Sequence, residues 1–166
     1  MIRLIGLLLT FAAIFVVETS LFTSLPHPIS TTPFVIVIAI YLLQARGIRA
    51  AVLIIPLHGI LLDGLDLFLI PLETISYSIG ALVAFGASHS LFSNRSFYGV
   101  TGVTLSTLGS LGVIELLIYV NMVTFGTVDL SLETFLSISL WRAFTGVGVL
   151  FVIYSTVRTV RRIMRP

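Results

Sequence analysis

Residues 97–123 read Phe-Tyr-Gly-Val-Thr-Gly-Val-Thr-Leu-Ser-Thr-Leu-Gly-Ser-Leu-Gly-Val-Ile-Glu-Leu-Leu-Ile-Tyr-Val-Asn-Met-Val, with Glu115 the one charge among them. About 20 mostly apolar residues carry an α-helix across the hydrocarbon of a bilayer. This run is long enough, and it contains no proline and no polar turn. It predicts a membrane-spanning helix.

The same reading extends along the chain. Apolar stretches at 4–23, 29–45, 48–65, 74–92, 97–123 and 135–157 predict an all-α, polytopic membrane protein of six transmembrane helices in one integral membrane domain, residues 1–166. The second stretch is short unless Thr31, Thr32 and Pro33 form its first turn, where proline is tolerated. The third contains Pro56, which is expected to bend it or end its first half. Five spans is the count if either is re-entrant. Of the 166 residues, 57% are hydrophobic and 10% charged, against about a quarter charged in an ordinary soluble domain. So little charge does not solvate a globular surface, and the apolar excess is expected to face lipid. There is no cysteine, which excludes disulfides and thiolate metal sites.

The loops set the orientation. All nine basic side chains are arginine. With the N-terminus inside, Arg3, Arg46, Arg49, Arg95, Arg158, Arg161, Arg162 and Arg165 fall on the cytoplasmic side, and Asp66, Glu73, Asp129 and Glu133 fall opposite. That distribution follows the positive-inside rule for short loops and gives an N-in, C-in topology. A cleaved signal peptide at 1–23 is the rival reading; its apolar run is too long, and Glu18 interrupts it. The last nine residues read as a basic cytoplasmic stub meeting anionic headgroups. Membrane lipid is thus an expected partner, and nucleic acid is not.

Inside lipid, helices associate through small residues that let backbones approach. Ser76, Gly80, Ala84 and Ser88 recur at steps of four in the fourth span, and Gly102, Ser106 and Ser110 in the fifth. Both stripes predict close helix packing; lining a ligand cavity is the alternative use. Four ionisable residues lie within spans: Glu18, Asp63, Glu115 and Arg142. Each costs roughly 2.5–3.5 kcal/mol or more at the bilayer centre without a partner. The topology puts all four at one depth near the outer surface, as an intramembrane polar cluster. Arg142 is the only cation there and is expected to pair with Glu115 or Glu18. The cluster reads either as a fold-locking ion pair with snorkelling carboxylates or as an outward polar cavity.

No zinc-protease, Walker, dinucleotide or nucleophile-elbow motif is present. His58 and Asp63, five apart, lie on different faces of a helix. No catalytic centre, metal site or cofactor is expected.

At the third span, His58-Gly-Ile-Leu-Leu-Asp-Gly-Leu65, a short loop, and a helix ending Leu91-Phe-Ser-Asn-Arg95 resemble the rod shape-determining protein MreD family. There a Gly-x-x-x-Asp element closes the third helix. Thr32-Pro-Phe-Val-Ile-Val-Ile-Ala-Ile-Tyr41 is similar to that family's second helix, which opens at a proline. The likeness covers most of the chain in layout and residues 32–95 in recognisable residues. It departs at Leu67-Phe-Leu-Ile-Pro-Leu-Glu73, where the family carries small residues, and at Glu18, where an uncharged polar residue is usual. The resemblance implies a non-enzymatic subunit of the bacterial cell-elongation machinery in the inner membrane, with MreC-like and other elongation-complex membrane proteins as partners. It also implies a compact bundle similar to the substrate-binding components of energy-coupling-factor transporters. Such a vitamin-binding component is the alternative function. Against it, the first span lacks the Ala-x-x-x-Ala face those components use to dock. An ion or proton carrier using Glu18 and Glu115 is a third reading, without the internal repeat carriers often show.

Overall fold

The structure, a computed structural model, describes residues 2–22, 24–27, 29–66, 71–92, 95–124 and 131–163. Among these the chain is a bundle of six α-helices with no strand: α1 Ile2–Val17, α2 Phe34–Gln44, α3 Ile54–Asp66, α4 Leu72–Ser90, α5 Phe97–Thr124 and α6 Leu132–Ile163. Glu18–Phe22 continues α1 as a π-turn, and 3₁₀ turns at Ile29–Thr31 and Arg49–Leu53 precede α2 and α3.

The apolar stretches and the helices coincide closely except at three places. Pro33 is the N-cap of α2, and Thr31 belongs to the separate 3₁₀ turn, so these residues do not form the first turn of α2. Pro56 sits in the opening turn of α3, where its missing N–H removes no helical bond, so it starts the helix instead of bending it. The basic tail is not a separate stub: α6 runs on through it to Ile163. Arg165 and Asp129 lie outside the described residues, as do the side chains of Arg3, Asp66, Arg158, Arg161 and Arg162.

α2 is the axis of the bundle. It is apolar on every face, and eight of its eleven residues are buried, as a helix hydrophobic all round must be. Ile36, Val37, Ala39 and Ile40 lie at its centre, packed with Ile55, Val100, Leu111 and Leu150 from the surrounding helices. The long helices show the opposite pattern. In α6 the most apolar stretch within Leu132–Val157 has only 11% of its residues buried. Leu140, Phe144 and Phe151 are each more than 60% exposed. Two helices, α5 and α6, are long and apolar enough to cross a membrane. An exposed apolar surface of this extent marks a lipid or protein interface.

Small residues set the closest approaches. A Cβ on Gly59 would lie 2.7 Å from the Glu73 carbonyl oxygen and 2.9 Å from Thr74 Cα, so α3 meets the start of α4 backbone to backbone. Ser76, Gly80 and Ala84 are buried, and Gly80 faces Leu111 and Thr107 of α5. Ser88 is only half-buried, at the end of that stripe. On α5 the buried face is Val100, Val103, Thr104, Thr107, Leu108 and Leu111, not the expected stripe of Gly102, Ser106 and Ser110. Those three are half-buried, with Gly102 under the Phe92 ring. Thr104 and Thr107 serve as core residues because each hydroxyl donates to its own helix, at Val100 O and Val103 O (2.9 and 2.8 Å), leaving a methyl to pack.

At one end of the bundle Tyr154 stands edge-on to Tyr41 and Phe97, with ring centroids 5.5 and 5.4 Å apart. The exposed Arg46, Arg49 and Arg95 lie at this end. Glu18, Asp63, Glu115 and Arg142 lie toward the other.

Gly59→Ala is therefore expected to push α3 from α4 and lower stability by about 1–3 kcal/mol. Gly64→Ala, with nothing within 4 Å of the new Cβ, is expected to leave it unchanged or raise it. Thermal unfolding of the two variants in detergent measures the difference.

Candidate functional site

The first turn of a helix holds four N–H groups without intrahelical acceptors. α2 opens at Pro33, whose side chain makes no capping bond. The acceptor comes from another helix. Glu18, in the π-turn that ends α1, takes the Val35 N–H at Oε2 (3.0 Å) and also engages the Phe34 N–H. The π-turn adds a residue to the last turn of α1, and its side-chain hydroxyls stay local: Thr19 donates to Phe15 O.

α4 repeats the arrangement. It opens at Pro71, again without a side-chain cap, and the backbone angles of Pro33 and Pro71 are nearly the same, φ −85 and ψ 69 against φ −77 and ψ 65. Asp63, on the last turn of α3, takes the Glu73 N–H at Oδ1 (3.1 Å) and the Thr74 N–H at Oδ2 (2.7 Å). The Thr74 hydroxyl donates to the same Oδ2. Gly59, one turn earlier on the same face of α3, brings the two backbones close enough for this. Gly59-Ile-Leu-Leu-Asp63 is thus one device, a close approach followed by a cap.

The third acid, Glu115 of α5, is met by a guanidinium. Arg142 of α6 donates from Nη1 to Glu115 Oε1. Both side chains are about one-quarter exposed, at 25% and 23%. The Tyr77 phenol of α4 lies within the electrostatic field of this pair and of Glu73 and Glu18. The Tyr77 ring stacks on His58 of α3 at 5.2 Å, and Phe15 of α1 meets His58 edge-on at 5.5 Å. His58 is buried, and its Nδ1 has no partner among the described residues.

All six helices thus contribute to one polar centre: Glu18 from the end of α1, the N-terminus of α2, His58 from α3, Tyr77 from α4, Glu115 from α5 and Arg142 from α6. The sequence grouped Glu18, Asp63, Glu115 and Arg142. Arg142 is bonded to Glu115 and acts on Glu18 only at longer range, and all three act electrostatically on Tyr77. Asp63 turns away to α4. Sequence reasoning missed Tyr77 and His58, and it missed that two of the acids bind helix N-termini. The signal was present in Pro33 and Pro71, helix-opening residues that offer no side-chain oxygen, each preceded by an acid near the end of the foregoing span. The geometry ties helices together.

Glu115→Gln and Arg142→Met are each expected to cost about 1–3 kcal/mol, because each strands a half-buried charge or donor. The double variant is expected to lose less than the sum by about 1 kcal/mol or more. Equilibrium unfolding of the four proteins gives the coupling; strict additivity would mean that the pair adds nothing.

Comparison with protein-family models, with curated proteins and with solved structures gives no match.

Proposed function

We propose that this chain is a multi-pass protein of a bacterial inner membrane, with six spans and both ends in the cytoplasm. Its role is that of a non-enzymatic scaffold subunit of the cell-elongation machinery. It links cytoskeletal filaments inside to peptidoglycan synthesis outside through helix contacts, with a MreC-like bitopic protein as partner. The observation that carries the reading is the Gly59–Asp63 device. The element on which the resemblance to the MreD family rests has a mechanical purpose here, to bring α4 against α3 and cap it.

Membrane insertion is supported by α6, an apolar helix turned outward along its length. α2 rises only about 16 Å, half the hydrocarbon thickness of about 30 Å. A helix that starts at membrane depth is tolerated where protein surrounds it and satisfies its N–H groups, which is what Glu18 does. α6, at 32 residues, rises about 48 Å, and its basic end is long enough to leave the bilayer on the side of Arg46, Arg49 and Arg95. The alternative, a vitamin-binding transporter component, would need a ligand among Glu18, Glu115 and Arg142. Those side chains are engaged with α2 and with each other, which favours the scaffold.

Because the chain has no cysteine, single substitutions report sidedness without background. An impermeant maleimide is expected to label Ser24→Cys and Ser131→Cys on intact cells, and Ala50→Cys only after permeabilisation. Affinity purification in mild detergent is expected to bring down a MreC-like bitopic protein. Recovery of a tightly held vitamin or an ATPase pair instead would establish the transporter reading.

A further inference from the structure

At the end of the bundle remote from the polar centre, an open cavity of about 220 Å³ lies between the turn after α2, the 3₁₀ turn before α3, the end of α4 and the start of α5. Arg49, His89 and Arg95 line it, and Leu43 and Phe85 form an apolar wall. Neither arginine has an acidic partner among the described residues.

The backbone is shaped to hold Arg95 in place. Gly47 is in the left-handed region at φ +70, and a Cβ there would lie 3.0 Å from Arg95 Nη2 and 3.4 Å from Cζ. Glycine therefore supplies both the turn and the room for the guanidinium to rest over it. Gln44, buried at the end of α2, donates from Nε2 to Phe92 O, and Tyr154 donates to Arg95 O (3.5 Å). These bonds tie α2 and α6 to the turn that carries Arg95.

Two arginines line one concave space, and no carboxylate among the described residues pairs with either. A single carboxylate is satisfied by one guanidinium fork, whereas a phosphate offers enough oxygens for two. We propose that this cavity binds a phosphate group, held by Arg49 and Arg95 from two sides with His89 at its edge. Two sources present that chemistry at this end of the molecule: the headgroup of an anionic phospholipid, with its chains along the Phe85 wall, or free phosphate. The lipid source rests on the membrane reading above, whereas the proposal does not depend on any elongation-complex partner.

The test uses the full chain in a neutral detergent, with native mass spectrometry reading bound phosphatidylglycerol, phosphatidylcholine and inorganic phosphate. Phosphatidylglycerol is expected to be retained about ten-fold over phosphatidylcholine. Arg49→Gln with Arg95→Gln is expected to remove at least about ten-fold of that binding. Arg46→Gln, an exposed arginine at the same end outside the cavity, is expected to remove none. The pair Arg49→Lys with Arg95→Lys keeps both charges on a folded chain and is expected to weaken binding several-fold through loss of the forked contacts. Displacement of the lipid by millimolar inorganic phosphate would make free phosphate the ligand, and retention of the lipid would make it the headgroup. Binding of neither probe, or an equal loss in Arg46→Gln, would overturn the proposal.

Discussion

The first N–H groups of a helix have no acceptors within it, and the organisation of this bundle follows from how that need is met. α2 and α4 both open at prolines without capping side chains. The acceptor in each case is a carboxylate from the end of the helix before, Glu18 for α2 and Asp63 for α4. The positive end of the helix dipole and the free N–H groups then favour the ionised carboxylate. Two unfavourable groups satisfy each other. The third acid, Glu115, meets Arg142 of the following helix instead. In all three hairpins, then, an acid on the odd-numbered helix is met by the helix that comes next.

This scheme requires close packing, since a carboxylate on a short side chain reaches a neighbouring backbone only at short range. Gly59 places α3 against the first turn of α4, Gly80 places α4 against α5, and Gly146 seats α6 beside Leu108, Val37 and Pro33. On the membrane reading proposed above, the hydrophobic effect gives helices little reason to associate, and such contacts together with interhelical hydrogen bonds supply it. With the acids met at one end and close packing between the helices, the outer face is left apolar, as the exposed leucines and phenylalanines of α5 and α6 show.

Much of this was legible in the sequence. The length of α5 follows from an apolar run bounded by polar turns, whereas α6 outruns its apolar run at both ends, at the basic one because arginine is a good helix former. That Arg142 pairs with an acid follows from its being the lone cation among them, with Glu115 and Glu18 both open as partner. The separation of Arg46, Arg49 and Arg95 from those acids is plain in the loops. Other features were not legible, for physical reasons. α5 carries small and apolar residues on every side, so the spacing of Gly102, Ser106 and Ser110 did not distinguish the packed face from its neighbour. Threonine reads as polar, yet Thr104 and Thr107 bond to their own helix and pack as methyls. His58 and Tyr77 lie on different helices, and their stacking depends on the close approach that Gly59 allows. A backbone N–H has no letter of its own, so the partners of Glu18 and Asp63 were invisible until the prolines that create the need were seen in place.

The most direct measurement of the capping scheme is amide hydrogen exchange on the protein in micelles, resolved at Val35, Glu73 and Thr74. First-turn amides of a helix ordinarily exchange fast because nothing accepts from them. Protection of all three is predicted, lost at Val35 alone in Glu18→Ala and at Glu73 and Thr74 alone in Asp63→Ala. Exchange at the rate of open helix ends in the unaltered protein would contradict the account.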